Sequence, residues 1–199
     1  MAGWQHIELA GADLELDHAW LSPAQADALF AALRDVIAWE THRISLFGRE
    51  VDSPRLSCWI GDPDAVYTYS RTRFEPCPWP DALSTIRARL HSETGVDFNS
   101  VLANLYRNGR DAMGWHSDSE PELGTQPVIA SLSLGATRRF VLKDRDDPAR
   151  KLALELPSGS LLLMRGDTQR HYRHALPRTA KPVGARINLT FRRIEIAQA

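Results

Sequence analysis

The sequence predicts an α+β fold centred on a jelly roll, a double-stranded β-helix of two antiparallel sheets buttressed by N-terminal helices. Two observations carry this. Short apolar-alternating segments follow one another after residue 100, and amphipathic helical spacing is confined to the chain before residue 95. The segments 101–106, 128–134, 139–143, 152–156, 160–164 and 185–193 are separated by Asn-Gly, Gly, Pro or Asp-rich turns. No helix-length stretch stands between them, which argues against parallel βαβ units and for two packed antiparallel sheets.

The helices have recognisable ends. Ser22-Pro23-Ala24-Gln25 offers a capping serine, a proline at the first helical position and a glutamine three residues past the cap. Leu29, Phe30, Leu33, Val36 and Ile37 then recur at helical spacing. A second helix is expected over about 80–94, with Leu83, Ile86 and Leu90 inward and Gly95 as a left-handed cap. Repeats and linker-like tracts are missing, so residues 1–199 read as one domain, with about 1–45 an N-terminal helical extension and about 99–194 the jelly-roll core.

With 199 residues, 43% hydrophobic and 25% charged, the chain can bury a core and is not of disordered composition. No run approaches the ~18 apolar residues of a membrane span. The start lacks a basic segment followed by an apolar stretch, so a cytoplasmic protein is expected. Cys58 and Cys77 are too few for a disulfide scaffold or a cysteine zinc site, and read as small buried side chains.

A net charge of −1 argues against coating nucleic acid by bulk charge, but the charge is unevenly spread. Residues 1–100 carry 8 Arg against 15 acids, whereas residues 101–199 carry 16 basic residues against 10 acids. The second half can therefore present a local anion-attracting face, or merely a solvated one.

The last strand is the most informative stretch. Strand periodicity puts Ile187, Leu189 and Phe191 on one face, and Arg186, Asn188, Thr190 and Arg192 on the other. Two arginines on one face can be simply wet, or can hold a small diacid through bidentate, charge-assisted bonds. His116-Ser117-Asp118 is the only His-x-Asp in the chain, and on an extended segment both side chains can reach one metal. His171 and His174 are the candidates for a third ligand. Two histidines and a carboxylate with open positions form the ligand set of non-haem Fe(II) oxygenases. Such a centre uses 2-oxoglutarate, whose far carboxylate needs a cation.

Several stretches together resemble the AlkB-like Fe(II)/2-oxoglutarate dioxygenases. They are Asn104-Leu105-Tyr106, Gly114-Trp115-His116-Ser117-Asp118-Ser119-Glu120, Ile129-Ala130-Ser131-Leu132-Ser133-Leu134-Gly135, Ser158-Gly159-Ser160-Leu161-Leu162, His174-Ala175-Leu176-Pro177 and the 186–192 strand. The likeness covers roughly 46–194 and is nearest the double-strand DNA repair branch. It implies His116, Asp118 and His174 as Fe(II) ligands, His174 being preferred because it precedes a small residue and Leu-Pro. It implies Arg186 and Tyr106 on the far carboxylate of 2-oxoglutarate, with Asn104, Asn188, Thr190 and Arg192 completing the cosubstrate shell.

The implied activity is oxidative demethylation of N-alkylated bases such as 1-methyladenine and 3-methylcytosine. It releases formaldehyde, succinate and CO2, with alkylated DNA as partner and RNA as a second candidate. Chemistry on a base requires it to leave the stack. The resemblance places a recognition lid at about 46–75, with Tyr69 stacking on the flipped base, Tyr67 and Ser70 beside it, and Glu120 accepting from the exocyclic amine. It aligns Phe47 with an aromatic wedge and Arg55 with a backbone contact, although Cys58-Trp59-Ile60-Gly61 departs from the branch. A monomer is expected. Two rival readings stand beside this one: the same chemistry on a protein side chain or small molecule, which the acidic lid-bearing half favours, and a silent nucleic-acid-binding module.

Overall fold

The computed structural model describes residues 3–46, 49–69 and 72–195, without the side chains of 43–50 and 67–74. In chain order come β1 (Gln5–His6), β2 (Asp13–Asp17), α1 (Pro23–Val36), β3 (Arg43–Leu46), β4 (Arg49–Asp52), β5 (Leu56–Gly61), β6 (Tyr67–Tyr69), β7 (Thr72–Phe74) and α2 (Asp81–Thr94). Then follow β8 (Ser100–Tyr106), β9 (Met113–His116), a 3-10 turn (Pro121–Leu123), β10 (Ile129–Gly135), β11 (Arg138–Asp144), β12 (Lys151–Leu156), β13 (Leu161–Arg165), α3 (Thr168–His171), β14 (Tyr172–Leu176) and β15 (Arg186–Arg192).

Both helices begin or end as their sequences dictate. The Ser22 hydroxyl accepts from Gln25 N–H while Gln25 Oε1 accepts from Ser22 N–H at 3.0 Å, a reciprocal cap on α1. At the end of α2, Gly95 takes φ 71 and donates its N–H to His91 O.

A seven-stranded sheet runs β1-β2-β13-β10-β15-β8-β5 and faces a four-stranded sheet β12-β11-β14-β9, the antiparallel pairing a jelly roll requires. Alternation decides what each face meets. Ile187, Leu189 and Phe191 pack with Leu132, Leu134 and Leu161 beneath Leu33 of α1 and Leu83, Ile86 and Leu90 of α2. Between the sheets, Leu14, Leu16, Ile129, Leu162 and Met164 meet Phe140, Leu142, Leu156 and Tyr172. Burying each large apolar side chain contributes roughly 1.5–3 kcal/mol, so both faces of the large sheet are strongly specified.

Three features differ from the sequence reading. The segment before residue 45 is not purely helical, because β2 pairs antiparallel with β13 and joins the large sheet. Leu14 and Leu16 are both essentially fully buried, although acids flank them in Asp13-Leu14-Glu15-Leu16-Asp17. Strands β9 and β14 were not among the expected segments, and they carry the histidines of the site. Cys58 is buried but its neighbour Cys77 is exposed, so only one of the two is the small buried side chain expected. Burial pushes the Cys58 thiol up to about 12.

Gly159 holds a turn that no other residue fits well. Its φ is +83 and a Cβ there would lie 2.6 Å from Leu21 O, the carbonyl before α1. Gly159→Ala is therefore expected to lower unfolding stability by about 1–3 kcal/mol, read by chemical denaturation.

Candidate metal centre and cosubstrate pocket

The metal candidates meet because β9 and β14 are neighbours in the small sheet. His116 and His174 are register partners across that pair, with ring centroids 4.2 Å apart. Asp118 follows two residues later, and one ligand atom from each of the three lies within 4.8 Å of the others. His171, the other candidate, sits at the end of α3 beside Gly11.

The surroundings fix each side chain. His116 Nδ1 lies 2.8 Å from Gly114 O, which suits an Nδ1–H donor and leaves the Nε2 lone pair for a metal. The Asp118 N–H donates to Gln169 Oε1 at 2.9 Å, and the Ser117 hydroxyl donates to Tyr172 O at 2.7 Å. These two bonds tie the His-x-Asp loop to the α3–β14 segment that bears His174. Arg192 Nη2 donates to Asp118 Oδ1 at 2.8 Å, with both side chains buried.

The charge states suit cation binding. Burial, and then the neighbouring His116, lower the His174 imidazole to about 3. Burial also lowers His116, against the pull of Asp118. Burial alone would raise the Asp118 carboxyl, but Arg192 and the two imidazoles outweigh it and hold it at about 2. At neutral pH the cluster is two neutral imidazoles and one carboxylate, with the buried Asp118 Oδ2 bonded to nothing among the described residues. That donor set and its orphaned oxygen fit a divalent transition metal such as Fe(II).

Stability should depend on pH accordingly. Between the ordinary imidazole range near 6.5 and about 3, the unfolded chain binds a proton at position 174 that the folded one refuses. Folding stability of the chelator-treated protein is therefore full above pH 6.5 and falls with acidification, by about 1.4 kcal/mol per pH unit for one such imidazole. Thermal melts at pH 7.5 and 5.5 check it, and equal midpoints would contradict the burial of His174.

Asn104, Tyr106, Asn188, Thr190 and Arg192 line the cavity beside the ligands, together with Leu102, Met113, Ser131, Phe140 and Met164. Tyr106 stands opposite Arg186 across β8 and β15, with the Arg186 guanidinium carbon 5.4 Å from the Tyr106 ring centre. Arg186 is 1% exposed; its Nη2 donates to Ser133 Oγ at 2.9 Å, while Nε and Nη1 have no partner among the described residues. Burial lowers Arg186 to about 10, so it is still a cation at neutral pH. A buried guanidinium with free donors needs an anion, and a small dicarboxylate with its other end at the metal meets that need. Asn188 Nδ2 instead bonds Ser131 Oγ and Leu132 O, at 2.9 and 3.1 Å.

The substrate residues are less gathered. Arg55 corrects the sequence reading. It is 6% exposed and donates Nε to Asn104 Oδ1 at 2.7 Å and Nη1 to Ser53 Oγ at 2.8 Å, so it is not presented to a nucleic-acid backbone. The cause is tertiary: β5 pairs with β8, which turns the residue just before β5 toward Asn104. Glu120 lies two residues past Asp118, and its Oε2 is buried without a partner among the described residues. Tyr67 and Tyr69 belong to the backbone hairpin β6–β7, but their side chains, like Phe47 and Ser70, lie outside the described residues.

Sequence reasoning missed Gln169, Ser131 and Ser133. The serines could have been found from alternation, since they interrupt the apolar run Ala130-Leu132-Leu134 on the opposite face of β10. Gln169 carried no local signal.

The 2OG-Fe(II) oxygenase superfamily model matches residues 13–192. The chain belongs to this superfamily, in its AlkB-like branch. It is 38% identical to the human alpha-ketoglutarate-dependent dioxygenase alkB homolog 3 over 179 residues, covering 85% of this chain and 62% of that protein. It is 38% identical to the human DNA oxidative demethylase ALKBH2 over 201 residues, covering 96% and 77%. The chain thus spans about three fifths of the length of the alkB homolog 3 relatives. A solved structure of OsALKBH1 shares the fold with a TM-score of 0.62 at 19% identity, covering 96% of this chain and all of that one. Among the described residues no helix is long and apolar enough to cross a membrane.

Proposed function

We propose that this protein oxidatively demethylates N-alkylated bases in DNA, using Fe(II), O2 and 2-oxoglutarate and releasing formaldehyde, succinate and CO2. The observation that carries the reading is the pairing of the His116/Asp118/His174 cluster with a buried, half-satisfied Arg186 in a chain of the AlkB-like branch. When bound by those three side chains, Fe(II) would supply O2 activation coupled to decarboxylation of the keto acid.

The residues themselves divide the remaining work. Arg186 and Tyr106 would bind the remote carboxylate, and Arg192 and Asn104 would orient the end nearer the metal. The apolar wall of Leu102, Met113, Phe140 and Met164 would keep water from the reacting atoms. Glu120, with its unpartnered buried oxygen, would accept from the exocyclic amine of adenine or cytosine and offset the positive charge of the methylated ring. Residues from about 46 to 75, carrying Phe47, Tyr67, Tyr69 and Ser70, are assigned to the lid over the flipped base.

The relatives' names, a DNA oxidative demethylase among them, support nucleic acid over a protein or small-molecule substrate. The acidic balance of residues 1–100 is the observation on the other side. The deciding assay measures formaldehyde and succinate release on a panel of methylated single- and double-stranded DNA and RNA oligonucleotides. Release stimulated by methylated but not unmodified strands supports the proposal; equal rates on both overturn it. A cytoplasmic monomer is part of this reading, tested by sedimentation and fractionation.

A further inference from the structure

One inward position of the small sheet holds a charge that neither the metal centre nor the core accounts for. Arg138 opens β11, and alternation puts it on the face of Phe140 and Leu142, where the strand otherwise buries apolar side chains. It is 3% exposed, and its guanidinium closes on three backbone carbonyls. Nη1 donates to Asn108 O at 3.2 Å, and Nη2 donates to Asp111 O at 3.0 Å and Pro177 O at 2.7 Å. Asn108 and Asp111 lie in the turn joining β8 to β9, and Pro177 follows β14. The strand ends next to these carbonyls, Tyr106, Met113 and Leu176, line the cavity beside the metal ligands.

A clamp on carbonyls needs N–H donors, not a charge, and a second buried cation close to Arg186 is unfavourable by itself. The Arg138 guanidinium carbon lies 5.9 Å from the Tyr106 ring centre, and that of Arg186 lies 5.4 Å from the same centre. Burial first, and then Arg138, lower Arg186, the direction expected of a like charge nearby. Arg107 takes both oxygens of Asp111, through Nε at 2.8 Å and Nη2 at 3.0 Å, so the carboxylate that attracts Arg138 is shared. Two buried guanidiniums around one phenol ring therefore carry an excess of positive charge, which an anion at the open donors of Arg186 offsets.

We propose that Arg138 is a positioning residue for the remote carboxylate of 2-oxoglutarate. It holds the strand ends that carry Tyr106, and its charge adds to that of Arg186, so it strengthens the preference for a diacid over a keto acid with one carboxylate. This rests on the cosubstrate assignment above and deepens it with a residue outside the cavity wall.

Calorimetric titration of the anaerobic Fe(II)-loaded protein tests it, with 2-oxoglutarate and with 2-oxobutanoate, a keto acid without the remote carboxylate. Arg138→Gln keeps N–H donors for the carbonyls and removes the charge. It is expected to weaken 2-oxoglutarate binding about tenfold and to leave 2-oxobutanoate binding unchanged. Arg138→Lys returns the charge and is expected to restore most of the diacid affinity. Formaldehyde release at saturating 2-oxoglutarate is expected to keep the wild-type kcat in both, with only the cosubstrate KM raised. Arg139→Gln, which removes an exposed charge one residue on, is expected to bind both acids as the wild type does. Circular dichroism checks that each variant is folded.

Equal losses for the two acids in Arg138→Gln would make the residue a clamp only and overturn the proposal. Wild-type affinity for the diacid in folded Arg138→Gln would overturn it too, and leave the cosubstrate assignment of Arg186 standing. Should Arg138→Gln not fold, Arg138→Lys decides: a retained preference for the diacid supports the proposal, and its loss with 2-oxobutanoate still bound overturns it. A wild type that binds the two acids equally would overturn the Arg186 assignment along with it.

Discussion

Asp118→Ala is expected to abolish stoichiometric Fe(II) binding in anaerobic titration and to remove formaldehyde release altogether. Asp118 is the only anionic member of the cluster, so its loss leaves two neutral imidazoles facing a dication. The deficit should exceed the about 10–100-fold that follows loss of an outer partner of a metal ligand. Removing the carboxylate also takes away a buried partner of Arg192, and breaking such a pair costs about 3–5 kcal/mol, so a folding defect could masquerade as a metal defect. Asp118→Asn keeps the shape and an acceptor for Arg192 while removing the charge; it should fold and still fail to bind Fe(II). His174→Ala, in a neutral position, should lose binding as well. Retained formaldehyde release in folded Asp118→Asn would refute the metal assignment.

Arg186→Ala is expected to raise the 2-oxoglutarate KM at least about 100-fold while Fe(II) titration stays at wild-type stoichiometry. Each charge-assisted bond lost to the far carboxylate is worth about 1.5–3 kcal/mol, and Arg186 has two unused donors, Nε and Nη1, to give. The carboxylate would then sit in a pocket with no cation, which penalises binding of the diacid far more than any later step. Arg186→Lys keeps a charge without the planar fork and should fall between the two. The split between cosubstrate KM and metal stoichiometry separates this role from a general weakening of the sheet. An unchanged KM would move the diacid elsewhere.

Much of this was legible from local rules. The reciprocal cap at Ser22, the left-handed Gly95 and the two-residue alternation along 186–192 follow from backbone geometry alone, and the structure reproduces each. The strand β2 was half legible, its two leucines hidden among acids. The burial of Arg55 and the bond from the Asp118 N–H to Gln169 were not legible, because each depends on a partner about fifty residues away, on a neighbouring strand or on the turn leading into one.

By itself the sequence determined which side chains share a face: Arg186 with Asn188, Thr190 and Arg192, and His116 with Asp118. Periodicity is a property of each segment and needs no partner. The resemblance already preferred His174 over His171; only the tertiary structure decided that Arg55 turns inward and that β2 joins the large sheet. Those outcomes are set by which strands pair and in what register, and pairing is chosen by the burial of whole sheet faces between the layers, a quantity no single segment carries.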